Sequence, residues 1–270
     1  MSPLEALDGW EAPDARAAVV AGGGVVETRG DTVRPGDWAS VTKLVTALAV
    51  LIATEEGTVD LGEPAGPPGS TVRHLLAHAS GLAFDEDRVL ALPGDRRIYS
   101  NLGFERLAAL VSERAGMPFA AYVYEGVLRP LGMAGTRLDG SPAAGMAGPL
   151  GDLVRLAAEL LSPTLVSAGT LRTATTVAFP GLAGVLPGFG PQDPLDWGLG
   201  FEVRDRKAPH WTGRHNSPAT FGHFGRSGSF LWVDPDAGLA CGALSGRDFG
   251  AWAKDAWPAL SDAVLAQYAR

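Results

Sequence analysis

Cysteine, lysine, long apolar runs and clustered charge are all scarce in this sequence, and each scarcity excludes something. Among 270 residues there is one cysteine, Cys241, so neither an intramolecular disulfide framework nor a cysteine-based metal cluster can form. Cys241 sits in the apolar run Leu239–Leu244, the setting of a buried structural thiol rather than a nucleophile. No window reaches the roughly 18 apolar residues of a membrane span; the longest stretch, Leu44–Ala53, is interrupted by Thr46. Met1–Trp10 carries no basic segment followed by an apolar one, so no signal peptide is read and a cytoplasmic location is expected. A net charge of −8, spread over scattered acidic residues, argues against a nucleic-acid partner or an anionic membrane surface.

What is present reads as an ordinary globular composition, 46% hydrophobic and 19% charged. Two β-rich runs, Ala17–Val20 and Val25–Thr28, flank a turn at Ala21–Gly24 and predict a hairpin. The glycines of that turn open no helix, which separates them from a phosphate-binding loop. A helix is predicted from about Ser40 to Glu56, stopped by Gly57. Asp60–Ser70 reads as loop, Thr71–Ala77 as a short helix, and Leu102–Ala115 as an amphipathic helix with Asn101 as N-cap and Gly116 as its stop. Pro118–Leu128, Leu150–Leu161 and Ser167–Ala174 continue the helical part, and Phe179–Leu195 reads as loop. Strands are then predicted at Gly198–Val203, Thr220–His223, Gly228–Asp234 and Gly238–Ser245, followed by a last helix over Gly250–Ala269. Strands at both chain ends with helices between them predict an α+β fold. In it an antiparallel sheet is assembled from both ends, terminal helices flank it, and a helical lobe is inserted between.

Three short motifs carry chemistry. In Ser40-Val41-Thr42-Lys43 the hydroxyl and the amine fall on one helical face one turn apart, with Ser40 at the positive end of the helix dipole. Lys43 is one of only three lysines, with Lys207 and Lys254, and it lies in an otherwise apolar helix. A desolvated amine there has a lowered pKa and can act as a base. The plain alternative is a capping serine with a surface lysine. In Tyr99-Ser100-Asn101 the phenol can point into a cleft, as a phenolate base stabilised by Lys43. Asn101 can orient the lysine and hold a substrate carbonyl; a core tyrosine before an N-cap is the alternative. In His223-Phe224-Gly225 the glycine lets substrate lie along a strand edge, and the Arg226 amide can pair with that of Ser40 as an oxyanion hole. A strand ending in a bulge is the alternative there.

Taken in this order, Ser40-x-x-Lys43, Tyr99-x-Asn101 and His223-x-Gly225 resemble the three signature motifs of the serine β-lactamase and D-alanyl-D-alanine peptidase superfamily. The closest branches are the class C β-lactamases and the carboxylesterases that share their fold. Connecting segments agree: Thr71–Leu82, Pro93–Asn101, Val127–Met133 and Leu231–Pro235. The resemblance runs from about Ala17 to Gln267 and is weakest over Pro142–Val203. It implies a β-lactamase/transpeptidase-like domain over residues 1–270, with a five-stranded sheet lobe from 1–60 and 196–270 and a helical lobe from 61–195. It also implies an acyl-enzyme on Ser40, with Lys43 and Tyr99 as a coupled proton-transfer pair and Asn101, His223, Gly225 and Arg226 around substrate and oxyanion. No cofactor or metal is expected, and the partner is a small-molecule ester or amide.

One departure bears on substrate. Where most β-lactamases carry Lys-Thr-Gly or Lys-Ser-Gly, this chain has His223, expected as a weaker, pH-dependent cation, and Phe224, which has no hydroxyl. Poorer carboxylate binding favours an esterase. The alternatives are a β-lactamase or D-alanyl-D-alanine carboxypeptidase-type amidase, an acyltransferase, and a catalytically silent binding scaffold.

Other patterns are weaker. His74 and His78 have the spacing of helical zinc ligands, but Leu75 stands where a metalloprotease needs glutamate. Gly225–Ser229 lacks the last glycine of a nucleophile elbow. His210, Trp211 and His215 fit either the cleft mouth or a solvated loop. Trp38, Trp197, Trp232, Trp252 and Trp257 read as core or cleft wall.

Overall fold

The computed structural model describes residues 2–22 and 24–269. Along the chain run β1 (Arg16–Ala21), β2 (Gly24–Arg29), β3 (Pro35–Asp37), α1 (Thr42–Glu55), α2 (Val72–Leu76), α3 (Asn101–Ala115) and α4 (Phe119–Val123). There follow β4 (Arg137–Leu138), β5 (Met146–Pro149), α5 (Leu150–Leu161), α6 (Ala168–Ala174), β6 (Gly184–Leu186) and β7 (Gly190–Gln192). The chain ends with β8 (Glu202–Val203), β9 (Phe221–Gly225), β10 (Ser229–Asp234), β11 (Leu239–Leu244) and α7 (Ala251–Tyr268). The main sheet has the order β2-β1-β11-β10-β9-β8, and all of its pairs are antiparallel. The two chain ends meet in its middle, where Val19 faces Cys241 across β1 and β11.

The sheet has six strands, not the expected five. The sixth, β8, is two residues long because the Gly198–Val203 run pairs with β9 only at Glu202 and Val203. The predicted turn Ala21–Gly24 includes Gly23, which lies outside the described residues. At the N-terminus the flanking element is a 3-10 helix, Pro3–Gly9, that sends Leu4 and Leu7 into the core under α7.

The central strands are apolar in both registers because both sheet faces are covered. On β10, Leu231 and Val233 join the core around α1 and α5, whereas Phe230 and Trp232 join the core under α7. β11 alternates likewise, Ala240 and Leu244 against Leu239, Cys241 and Ala243. Helix α1 is buried almost all round, as its continuous apolar sequence requires.

Four local differences bear on the site. The helix expected from Ser40 begins at Thr42, preceded by a single 3-10 turn, Ala39–Val41. Ser100, not Asn101, caps α3: its Oγ accepts from the Gly103 amide at 3.1 Å, leaving the Asn101 side chain free in the first helical turn. The loop predicted over Phe179–Leu195 contains the β6–β7 hairpin. A small sheet, β3-β5-β4, was not expected; its strands are three, four and two residues long, too short to show a periodicity.

Arg97 is the polar hub between these parts. It is 2% exposed and donates to the carbonyls of Ala77, Ala178, Phe179 and Leu195 at 2.5–3.1 Å. Replacing it leaves several buried acceptors unpaired. Arg97→Met is therefore expected to lower the unfolding free energy by roughly 3 kcal/mol or more, measured by urea denaturation.

Candidate active site

The turn bearing Ser40 is over-determined. Trp38 donates from its backbone to Met146 O at 2.9 Å and from its indole to Gly148 O at 3.1 Å, pinning the turn to β5. Asp37 Oδ1 accepts from the Ala39 amide at 2.7 Å, and the Trp38 carbonyl accepts from both the Val41 amide and Ser229 Oγ. These bonds hold Ala39 at φ +42, a conformation a non-glycine residue adopts only under constraint. The end of β9 packs directly on this turn. A Cβ on Gly225 would lie 2.6 Å from the Trp38 carbonyl and 2.5 Å from Ser229 Oγ. Glycine at 225 is thus what brings the third motif against the first.

Lys43, in the first turn of α1, is fully buried. Its Nζ donates to Asn101 Oδ1 at 2.6 Å and to the Ala143 carbonyl at 2.9 Å, and lies 4.6 Å from the centre of the Tyr99 ring. Thr46 and Thr42 stitch the same helix to the segment bearing Ala143, through Pro142 O and the Met146 amide. Among the described residues no carboxylate touches the amine. Burial pushes its pKa down to about 7, with the charges of Asp85 and Glu105 pulling weakly the other way.

Tyr99 stands over Lys43 inside a ring of aromatic side chains: His78 at 4.7 Å, His223 at 5.7 Å, Phe84 and Trp197 at 5.9 Å. Burial raises its phenol pKa well above the ordinary value, and a hydrogen bond from Ser40 only partly opposes this. The phenolate expected beside Lys43 is therefore disfavoured, because burial penalises the charged phenolate more than the Ser40 hydrogen bond favours it.

His223 corrects a second expectation. Its Nδ1–H donates to the Phe224 carbonyl at 2.7 Å, which leaves the Nε2 lone pair facing the Tyr99 hydroxyl at 3.4 Å. Burial, then the charge of Lys43, pushes its pKa down to about 3. It is a neutral imidazole, not a pH-dependent cation.

Ser40, Tyr99, His223 and Arg226 line one cleft of about 590 Å³, with Lys43 and Asn101 behind Tyr99. Sequence reasoning missed most of the remaining wall, including Phe84, Leu186 and Phe249. It also missed His78, whose Nδ1 accepts from the Ser100 amide at 3.1 Å and supports Tyr99 from behind. His74 turns elsewhere, bonding Thr71 and stacking on Phe179, so the two histidines of the zinc-like spacing do not converge. His210 and Trp211 are at neither the cleft mouth nor a solvated loop: they are buried and bond Glu202, while exposed His215 pairs with Asp262. Trp197 is cleft wall; Trp38 and Trp232 are core.

A family model described as beta-lactamase matches residues 6–265. The chain belongs to the beta-lactamase family. Members of this family are serine hydrolases, and this one superposes along its whole length on a beta-lactamase from Mycobacterium bovis. The two share 57% identity and a TM-score of 0.98, with 100% of each chain covered. A curated relative, the D-alanyl-D-alanine-carboxypeptidase/endopeptidase AmpH of Escherichia coli K12, is 30% identical over 43% of this chain. The match spans only 41% of that relative's length. EstCE1, a hydrolase with promiscuous acyltransferase activity, shares the fold at a TM-score of 0.80 and 18% identity, with 97% and 98% of the two chains covered. No helix among the described residues is long and apolar enough to cross a membrane.

The close approach at Gly225 has a direct test. Gly225→Ala must push β9 away from the Ser40 turn, and is expected to cost about 1–3 kcal/mol in thermal unfolding. An unchanged melting temperature would show that the two segments are not in contact.

Proposed function

We propose that this beta-lactamase-family hydrolase is an esterase working through an acyl-enzyme on Ser40. The observation that carries the reading is Lys43: a buried amine with only neutral acceptors, titrating near 7, beside a phenol that reaches the Ser40 hydroxyl. At neutral pH a substantial fraction of Lys43 is the free base. Its lone pair draws the Ser40 proton through the Tyr99 hydroxyl as Ser40 Oγ attacks the ester carbonyl. Tyr99, held as a phenol, relays the proton rather than storing negative charge. The amides of Ser40 and Arg226 receive the oxyanion. Collapse breaks the bond to the alcohol oxygen, which takes the proton back through the same relay. Water then attacks the acyl-enzyme with Lys43 again as base and returns Ser40 with the free acid.

Ester is preferred to carboxylate-bearing amide on the character of the third motif. A neutral His223 offers a lone pair and no positive charge, and Phe224 adds an apolar wall. Neither compensates a substrate carboxylate. β-Lactam hydrolysis is the second reading, supported by the name of the 57%-identical Mycobacterium bovis structure.

Hydrolysis of p-nitrophenyl butyrate and of a chromogenic cephalosporin should be compared in wild type and Ser40→Ala. Ester turnover is expected to exceed cephalosporin turnover by about 100-fold in kcat/KM and to vanish in Ser40→Ala; the opposite preference favours the second reading. Equal rates in both proteins would remove Ser40 from the mechanism. Lys43→Met is expected to lower kcat by about 100-fold or more. In the wild type kcat/KM should rise with pH about a midpoint near 7, because the ammonium form that dominates below it cannot accept a proton. A profile flat between pH 5 and 9 would exclude Lys43 as the base.

A further inference from the structure

Large apolar side chains exposed to water are few, and they are not evenly spread. Five of the ten recorded among the described residues lie on two segments that contribute to the cleft wall, residues 84–92 and the β6–β7 hairpin: Phe84 (50% exposed), Val89 (51%), Leu90 (49%), Leu92 (69%) and Val185 (54%). Three of these, Phe84, Leu90 and Val185, are themselves wall residues beside Ser40. Contiguous apolar surface of this kind marks a binding site rather than ordinary exposure.

Both segments are tied to the backbone that carries Tyr99. The Asn101 amide donates to Phe84 O at 2.8 Å, and the Leu90 amide donates to Gly81 O at 2.8 Å. On the other side the Arg97 amide donates to Ala183 O at 3.0 Å, and Arg97 bridges to Gly184 at the start of the β6–β7 hairpin. The apolar walls therefore need no rearrangement to meet substrate, and the entropic cost of ordering them is already met by folding. Among the described residues the wall has no acidic side chain, and its charged members are Arg96, Arg97 and Arg226. Phe84 and Leu90 from one segment and Val185 and Leu186 from the other give the wall two apolar sides, a trough whose surface a flexible unbranched chain can cover. The volume of about 590 Å³ lies within the range of sites for drug-sized ligands.

We propose that this site takes esters bearing an unbranched aliphatic chain, of roughly eight to twelve carbons, laid in that trough with its end against the rim at Leu92 and Val89. The inference rests on the esterase reading of Ser40 and names its substrate class. The chain can belong to the acid or to the alcohol, and both sources present the same methylenes to the wall.

The test is chain-length selectivity below the aggregation concentration of each ester. Two series are compared, p-nitrophenyl alkanoates for a chain on the acid side and n-alkyl acetates for one on the alcohol side. Each buried methylene is expected to raise kcat/KM about two- to fourfold, giving at least about 100-fold between the two-carbon and ten-carbon members of one series. The series that rises identifies the side that carries the chain. Leu90→Asp and Val185→Asp, both at largely exposed positions, should each lower the ten-carbon to two-carbon ratio at least tenfold, and Leu90→Ile should largely retain it. Selectivity that is flat or falls with length in both series, while the short ester is hydrolysed and Ser40→Ala is dead, overturns the inference and leaves the esterase reading standing. If no ester is turned over, the esterase reading fails. The cleft is then judged by binding of p-nitrophenyl decanoate and p-nitrophenyl acetate to Ser40→Ala, followed by tryptophan quenching. A preference of at least tenfold for the decanoate supports the apolar-chain site, and equal affinities overturn it.

Discussion

The organising constraint of this molecule is the desolvation of one amine. Lys43 has left water without gaining a carboxylate, and burying an ammonium among neutral groups is among the costlier things a fold can do. The structure answers with an amide oxygen from Asn101, a carbonyl from Ala143 and the faces of two aromatic rings, and the charge itself becomes labile. Much of the surrounding architecture follows. Asn101 is free to reach the amine because Ser100 caps the helix, and Ala143 is in place because Thr42 and Thr46 clasp its segment. The cation–π faces come from the start of α3 and the residue pair before it.

A second lysine shows what the alternative looks like. Lys207 is as deeply buried, but its Nζ lies 3.1 Å from Glu202 Oε1 and donates to the Asp196 carbonyl at 2.7 Å. Glu202 is itself held by His210 and Trp211 at 2.8 and 2.6 Å. Here the two charges compensate each other, and burial of Lys207 lowers its pKa against the opposing pull of Glu202. The pair lies behind the β8 edge that supports β9 and His223. One chain thus uses the same residue type twice, paired where it supports a strand and unpaired beside the candidate nucleophile.

Much of this was legible in the sequence, and the limits have physical causes. The three motifs could be picked out because each confines its chemistry to three or four consecutive residues, Ser40 with Lys43, Tyr99 with Asn101, His223 with Gly225. Strands at both chain ends with helices between them announced an antiparallel sheet assembled from both ends. The protonation states were hidden, since they depend on burial and on neighbours distant in sequence: His223 is neutral because of its fit under Trp197 and Tyr99, not because of Phe224. The cap was misassigned between Ser100 and Asn101 because both residue types serve as N-caps and only the fold decides. His210 and Trp211 gave no sign of their carboxylate partner, because Glu202 lies on a separate predicted strand and only the fold brings it to them. The wall loops at 82–92 and 184–188 were invisible as binding surface, for want of any local periodicity.

The pairing of β1 with β11 carries a different kind of consequence. It joins residues 16–21 to residues 239–244, so the sheet cannot close until nearly the whole chain has emerged and its two ends have found each other. The cleft inherits that dependence, since Ser40 lies just after the first end and His223 just before the last. No early, locally formed intermediate contains the cleft, and long-range closure of this kind slows folding relative to chains stabilised by neighbours. During synthesis the aromatic cover of Tyr99 stays incomplete until Trp197 and His223 arrive. Turnover is thereby a report on completed topology, and a molecule interrupted before β11 is inert by construction.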